Sequence, residues 1–403
     1  MSTPWKSDQW FTSPMNFADE VTAGLNFPDK IEIHDVTLRD GEQQCGLVFT
    51  RDDKVRIAEK LAEVGVHRIE AGMPVVSKQD EQAIRDIVKL DLPCQIFAFS
   101  RCMVDDVKRA ADCGVHGVVI EIPSSDHIIE HAYRWPAERA IDLSITATQA
   151  AKKEGLYTVW FPIDATRADL NWLLDMVVRV ADEGHMDALA VVDTFGGTSP
   201  HAIPYFIKKI RERIDKPLET HFHDDFGCGP ANTILGLASG CTVAHTTVTG
   251  IGERAGNAAY EDVVMALKCM YNVDIGLKTE KMVELSNLVR EIGGLNIPTN
   301  RSIVGDLLYQ IESGIIVSWF KNCGKEHELE LTPFLAEMVG LKEPDIVIGK
   351  GSGIDTIGIL IERLGLQASD EEKMALLMDV KEKAMELHRL LSLEEFKDLV
   401  GKG

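Results

Sequence analysis

The feature that most constrains this chain is an alternation of two textures. From about residue 30 onward, short β-branched or apolar runs recur: KIEIHDV, HRIEAG, CQIFAFS, HGVVIEIP, YTVWFPI, DALAVVD, PLETHFH and CTVAHTTVTG. Longer segments with helical periodicity separate them. In RDDKVRIAEKLAEVG, the residues Val55, Ile57, Ala58, Leu61 and Val64 recur once per helical turn, and Gly65 follows as a stop. MVDDVKRAADCG repeats the pattern. Successive runs are spaced by about 25 to 35 residues, the size of a βα unit. Eight such units in series, with no dinucleotide-binding glycine fingerprint, predict an α/β fold of the closed (β/α)8 TIM-barrel type and not an open doubly wound sheet.

The barrel is expected over residues 30–275. Residues 1–29 are rich in Trp and Phe and read as an N-terminal arm that packs on another surface, such as a second subunit. Residues 276–403 read as a C-terminal subdomain of mixed texture with a helical, highly charged end. The net charge of −22 argues against nucleic acid or an anionic membrane as partner, while leaving room for a local basic pocket. The eight cysteines include no C-x-x-C pair, which predicts reduced thiols and no zinc ribbon or redox motif. No basic segment followed by an apolar run opens the chain, and no apolar stretch reaches membrane-spanning length, so a cytoplasmic protein is expected.

In such barrels the reacting groups lie at the C-terminal ends of the strands. The first run ends in HDVTLRDGEQ, which sets Arg39, Asp40 and Gln43 around a turn at Gly41. The seventh ends in LETHFHDDFGCGPAN. His221 and His223 occupy alternate positions there, so both imidazoles enter the barrel mouth together. The eighth is followed by the glycine-rich GIGERAGNAA, which carries Asn257. Asp40, His221, His223 and Asn257 offer two nitrogens and two oxygens, a set suited to zinc, manganese or magnesium. A six-coordinate ion held this way keeps two positions for the carbonyl and one carboxylate oxygen of a 2-oxo acid, and polarises that carbonyl. Arg39 keeps its proton and would stabilise an enolate or alkoxide beside the ion. Blander roles compete. An isolated H-x-H is more often structural, Asp224 and Asp225 read as helix caps, and Cys228 as an inert buried thiol.

DVTLRDGEQ, HRIEAGMP, DATR, DTFG, HFHDDFGCGPAN and GIGERAGNAAYEDVVMAL resemble the family of 2-isopropylmalate synthase and homocitrate synthase. Its superfamily includes citramalate synthase and hydroxymethylglutaryl-CoA lyase. SIVGDLLYQIESGI and VIGKGSG are similar to that family's small subdomain. The resemblance implies that Asp40, His221, His223 and Asn257 hold the metal and that Arg39 is catalytic, with Gln43 in the same motif. It implies that Glu70 helps set the 2-oxo acid pocket and that Thr194 holds the substrate carboxylate. In EIPSSDH, Ser125 and His127 are further candidates for reading the substrate. The implied reaction is a Claisen-type condensation of acetyl-CoA, or a related acyl-CoA, with a 2-oxo acid, followed by thioester hydrolysis. The implied assembly is a homodimer in which each subdomain covers the partner's barrel.

The sequence departs from the family where protons move. Ile311 and Ile316 stand at two histidine positions of the subdomain, Ile163 at a usual glutamate, and Gly351 at another histidine. Isoleucine transfers no proton. Either another group does that work, with Glu42, Glu70, His127 and Glu312 as candidates, or the reaction differs. The alternative reaction is cleavage of a 3-hydroxy acid or its thioester. The cysteine-bearing loop of the lyase branch is absent from the sequence, which favours synthesis. The regulatory domain of longer synthases has no counterpart here, so end-product feedback inhibition is not expected.

Overall fold

A computed structural model describes residues 3–401. Eight parallel strands close into a barrel in sequence order: β1 (Glu32–Asp35), β2 (Arg68–Glu70), β3 (Gln95–Arg101), β4 (Gly117–Pro123), β5 (Tyr157–Ile163), β6 (Ala188–Asp193), β7 (Leu218–Phe222) and β8 (Val243–Thr246). β8 returns to β1 with Ile33 opposite Ala244 and His34 opposite His245. Seven of the eight apolar runs read from the sequence contain one of these strands, and the remaining one, CQIFAFS, holds all of β3 except Arg101.

Local chemistry sets the helices between them. Arg51–Val64 starts at Thr50, whose side chain accepts from Asp53 N while the Asp53 carboxylate accepts from Thr50 N. This reciprocal cap satisfies two otherwise orphaned amides. The helix stops at Gly65, which takes the left-handed conformation at φ 100°. Inside the barrel, Phe97, Phe99, Val119, Val159, Phe161, Ala188, Ala190 and Val192 form a buried apolar layer, with Ile163 packed against it. Strand alternation then fixes which later residues face inward. Two positions beyond Phe99, Val119 and Phe161, towards the mouth, come Arg101, Glu121 and Ile163, with Glu121 paired to Arg101 and Phe161.

Phe17–Ile297 form one compact unit; the described residues before Phe17 and those from Pro298 onward form a second. The second unit has a core of Ile348, Ile357, Leu360, Leu377, Val380 and Phe396, drawn from its last helices and the segment before them. Trp10 pairs with Phe334, and Phe11 N donates to Pro333 O at 2.9 Å, so the aromatic arm docks on its own chain. The charged C-terminal run is two helices, Asp370–Leu387 and Leu393–Val400, parted at His388, which takes φ 53°. Glu312 accepts a hydrogen bond from Gly351 N at 2.7 Å and ties this unit together. Ile311 and Ile316 line a cavity of about 420 Å³ there with Phe320 and Leu331. Among the described residues no helix is long and apolar enough to cross a membrane.

Candidate active site

Beyond β1 the chain tightens into the turn Gly41–Gln43, and Arg39 and Asp40 are buried just before it. Arg39 is bound on nearly every side. Its Nη1 donates to Asp40 Oδ2 at 3.0 Å and to Gln43 Oε1 at 3.3 Å, and its Nε donates to Glu70. The guanidinium lies 3.9 Å over the Phe99 ring. Its Nη2 is buried without a partner. Burial would raise the Glu70 carboxyl, but Arg39 and His34 outweigh it and bring it down to about 2. Burial acts likewise on Asp40, and Arg39, His221 and His223 hold it well below the usual carboxylate range.

His221 and His223 meet Asp40 as their strand parity predicts. His221 Nε2 lies 3.2 Å and His223 Nε2 3.7 Å from Asp40 Oδ2. Asn257 donates through Nδ2 to Asp40 Oδ1 at 3.0 Å, which leaves its buried Oδ1 without a partner. The loop backbone makes room for this. A Cβ at Gly252 (φ 148°) would strike Asn257, and one at Gly256 (φ 82°) would strike Gly250 O.

A second polar layer lies below, towards the N-terminal ends of the strands. Arg68 donates to Glu32 at 2.9 Å and to Glu219 at 2.8 Å, and Glu219 meets His245 Nε2 at 2.9 Å. His245 Nδ1 lies 3.3 Å from His221 Nδ1. An ionised Glu219 only accepts, so His245 donates to it through Nε2. His221 lies between this layer and Asp40, with one ring nitrogen towards each. Burial is the main cause that lowers the His221 pKa to about 3, so the ring is neutral. Two buried groups thus have donor atoms within 4.8 Å of one another, close enough to share a divalent ion: Asp40 with His221 and His223, and His34 with Glu219 and His245.

The remaining candidates gather on Asp164, which sequence reasoning did not single out. Ser125 Oγ donates to Asp164 Oδ2 at 2.6 Å, His127 Nε2 lies 3.0 Å from the same oxygen, and Arg167 Nε donates to Oδ1 at 2.6 Å. Thr194 Oγ1 accepts from Asp164 N at 2.9 Å. Asp164 sits at φ 63°, a strained turn with no local signature beyond the motif DATR. Asp224 caps the next helix through Gly229 N at 2.6 Å, but Asp225 instead pairs with Arg254 at 2.9 Å. Cys228 is half-buried, not enclosed, because the loop before its helix is open. Glu42 is held by Lys54 at 2.6 Å.

Residues 30–289 match the protein-family model described as HMGL-like. The chain is 38% identical over 373 residues to homocitrate synthase AksA of Methanothermobacter thermautotrophicus, covering 93% of each. It is 37% identical over 377 residues to 2-isopropylmalate synthase 2 of Caldanaerobacter subterraneus subsp. tengcongensis, covering 93% of this chain and 97% of that one. Among solved structures, a hydroxymethylglutaryl-CoA lyase of Bacillus subtilis matches 68% of this chain and 97% of its own, with TM-score 0.60 at 21% identity, a likeness of fold. The chain belongs to the HMGL-like family, in the group of the homocitrate and 2-isopropylmalate synthases.

Proposed function

We propose that this protein condenses an acyl-CoA thioester, acetyl-CoA or a close relative, with a 2-oxo acid at a divalent ion held by Asp40, His221, His223 and Asn257. One observation carries this: the Nε2 atoms of His221 and His223 converge on one buried oxygen, Asp40 Oδ2, at 3.2 and 3.7 Å. Two imidazoles and a carboxylate gathered this closely out of solvent are a ligand set for a divalent ion. The unpartnered Asn257 Oδ1 supplies a further oxygen beside the pair. The inner set of His34, Glu219 and His245 is less suited, because Glu219 is already satisfied by Arg68 and His245. Manganese, zinc or magnesium bound at the mouth would supply a Lewis acid for the oxo-acid carbonyl.

The protein groups around it divide the rest of the work. Arg39 aims its free Nη2 at the oxygen that becomes negative, and Glu70 and Gln43 hold its fork in place. Thr194 spends an acceptor site on Asp164 N and keeps its own proton for a substrate carboxylate. Ser125 and His127, tied to the same Asp164, form the adjoining rim. The homodimer with exchanged subdomains belongs to the same proposal, and light scattering on the eluting protein tests it. The function itself is tested by thiol release from acetyl-CoA across a panel of 2-oxo acids with added divalent metal. Free CoA with a particular oxo acid is the expected result. Acetyl-CoA formed from a 3-hydroxy acid, with no condensation, would replace this reading by cleavage.

A further inference from the structure

We propose that Glu121 is the carboxylate that moves protons in this condensation, an inference that rests on the function proposed above. It takes a proton from the α-carbon of the acyl thioester and returns it to the new alkoxide.

The geometry points to Glu121 by position and by elimination. It follows Val119 of the inner apolar layer by two strand residues and so faces the barrel interior at the mouth. Its neighbours in register are Arg101 and Phe161. Phe99, over which the Arg39 guanidinium lies, is paired with Val119 just below. Arg39 and Glu121 therefore border the same space. Ile163, the next inward position of β5, lines it with hydrocarbon.

The other carboxylates near the mouth are committed or turned to solvent. Glu70 and Asp40 bind Arg39, Glu42 binds Lys54, Asp164 binds Arg167, Asp193 accepts from Thr166 at 2.7 Å, Asp225 binds Arg254, and the exposed Glu253 lies 3.7 Å from Arg254. Among the described residues none donates a hydrogen bond to the Glu121 carboxylate, and the side chain is only partly buried. Burial raises its pKa, opposed by Arg39 and Arg101 and reinforced by Glu70 and Glu253. Tyr133 and Cys102 also feel its charge. A carboxylate tuned upward in this way is a better base than a free one. Arg39 cannot serve, since it does not give up its proton.

The step balances within these groups. The α-C–H bond breaks, its proton goes to a Glu121 oxygen, and the electron pair forms the thioester enolate. The enolate carbon bonds to the oxo-acid carbonyl carbon, and the carbonyl π pair moves to oxygen beside Arg39. The proton on Glu121 then passes to that alkoxide, giving the tertiary alcohol and restoring the carboxylate. Water later cleaves the thioester.

The test compares metal-loaded full-length protein with Glu121→Gln and Glu121→Asp. Glu121→Gln should lose roughly 100-fold or more in kcat, with metal content, melting temperature and oxo-acid affinity unchanged. Methyl-proton exchange of acetyl-CoA in D2O, read by mass spectrometry, should fall with it. Glu121→Asp should recover about tenfold over the glutamine variant, with its acid limb displaced. Active wild type with a glutamine variant within about threefold in kcat overturns the role of Glu121 alone. A loss confined to KM overturns it too, and assigns Glu121 to reading a cationic substrate group. Wild type that releases no CoA with any 2-oxo acid overturns the condensation and the role of Glu121 together.

Discussion

The floor and the mouth of this barrel use the same kinds of side chain and differ in how far those side chains satisfy one another. At the floor, Arg68, Glu32, Glu219 and His245 form one bonded network, and only His34 beside them, stacked on His245, has ring nitrogens without a hydrogen bond. At the mouth, Arg39 Nη2, His223 Nδ1 and Asn257 Oδ1 are buried without partners. A buried polar group without a partner costs about 1–3 kcal/mol. At the mouth the unpartnered atoms come from three different residues around Asp40, which is the layout expected of the proposed ion and substrate site, whereas most of the floor is closed by its own ion pairs.

The sharpest break of this contrast is removal of a mouth histidine. His223→Ala should strip the metal and reduce turnover by roughly three orders of magnitude or more, with the fold retained. Metal analysis alongside CoA release measures both. Full metal occupancy in the double variant His221→Ala/His223→Ala would remove the site from the mouth altogether. The opposite profile is expected at the floor. Arg68→Ala leaves Glu219 and Glu32 short of their cation and should cost about 3–5 kcal/mol in urea unfolding, while the folded fraction keeps its activity. Unchanged stability there would mean that the layer is not holding the barrel.

A smaller loss, about two orders of magnitude in turnover, is expected for Arg39→Lys. Lysine keeps the charge but not the planar fork that engages Glu70, Asp40 and Gln43 together. Near-normal turnover would move Arg39 to a structural part.

The smallest effect is in pH dependence, where two buried carboxyls oppose each other. Burial raises Asp35, at the end of β1, to about 7 despite its bonds from Thr37. Its contribution to stability is whole below the unfolded carboxylate pKa near 4 and is lost as pH rises to about 7, at about 1.4 kcal/mol per unit. Burial would also raise Glu219, but His245 and Arg68 take it down to about 2, so its contribution is present above the ordinary range and lost as pH falls through it. Asp35→Asn should therefore flatten the rise in melting temperature between pH 7 and pH 5. A melting curve with the same pH slope in both proteins would refute the assignment.

Much of the barrel was legible in local pattern, because β-strands and helices write their periods into the chain. YTVWFPI coincides with β5 from Tyr157 to Ile163, and the H-x-H spacing carries its own geometry, since alternate residues share a face. Asp164 was not legible. Its importance comes from a left-handed turn that gathers side chains from three loops, and nothing nearby in sequence announces the meeting. Glu121 sits in HGVVIEIP as one acid among apolar residues. Only the closed sheet reveals that its position is an inward one, two residues beyond Val119 of the buried layer. The arm's partner at Pro333 was hidden for the same reason, being a pairing across more than three hundred residues.

That pairing has a consequence for how the protein is made. The arm is synthesised before the barrel segments, and its docking strip around Phe334 after them. The barrel segments can assemble while the arm waits, whereas the second unit cannot close until the strip beyond the barrel has emerged. The arm's aromatic residues therefore stay unpaired while the barrel is made, and a change in the arm acts on a unit whose other parts are encoded on the far side of the barrel.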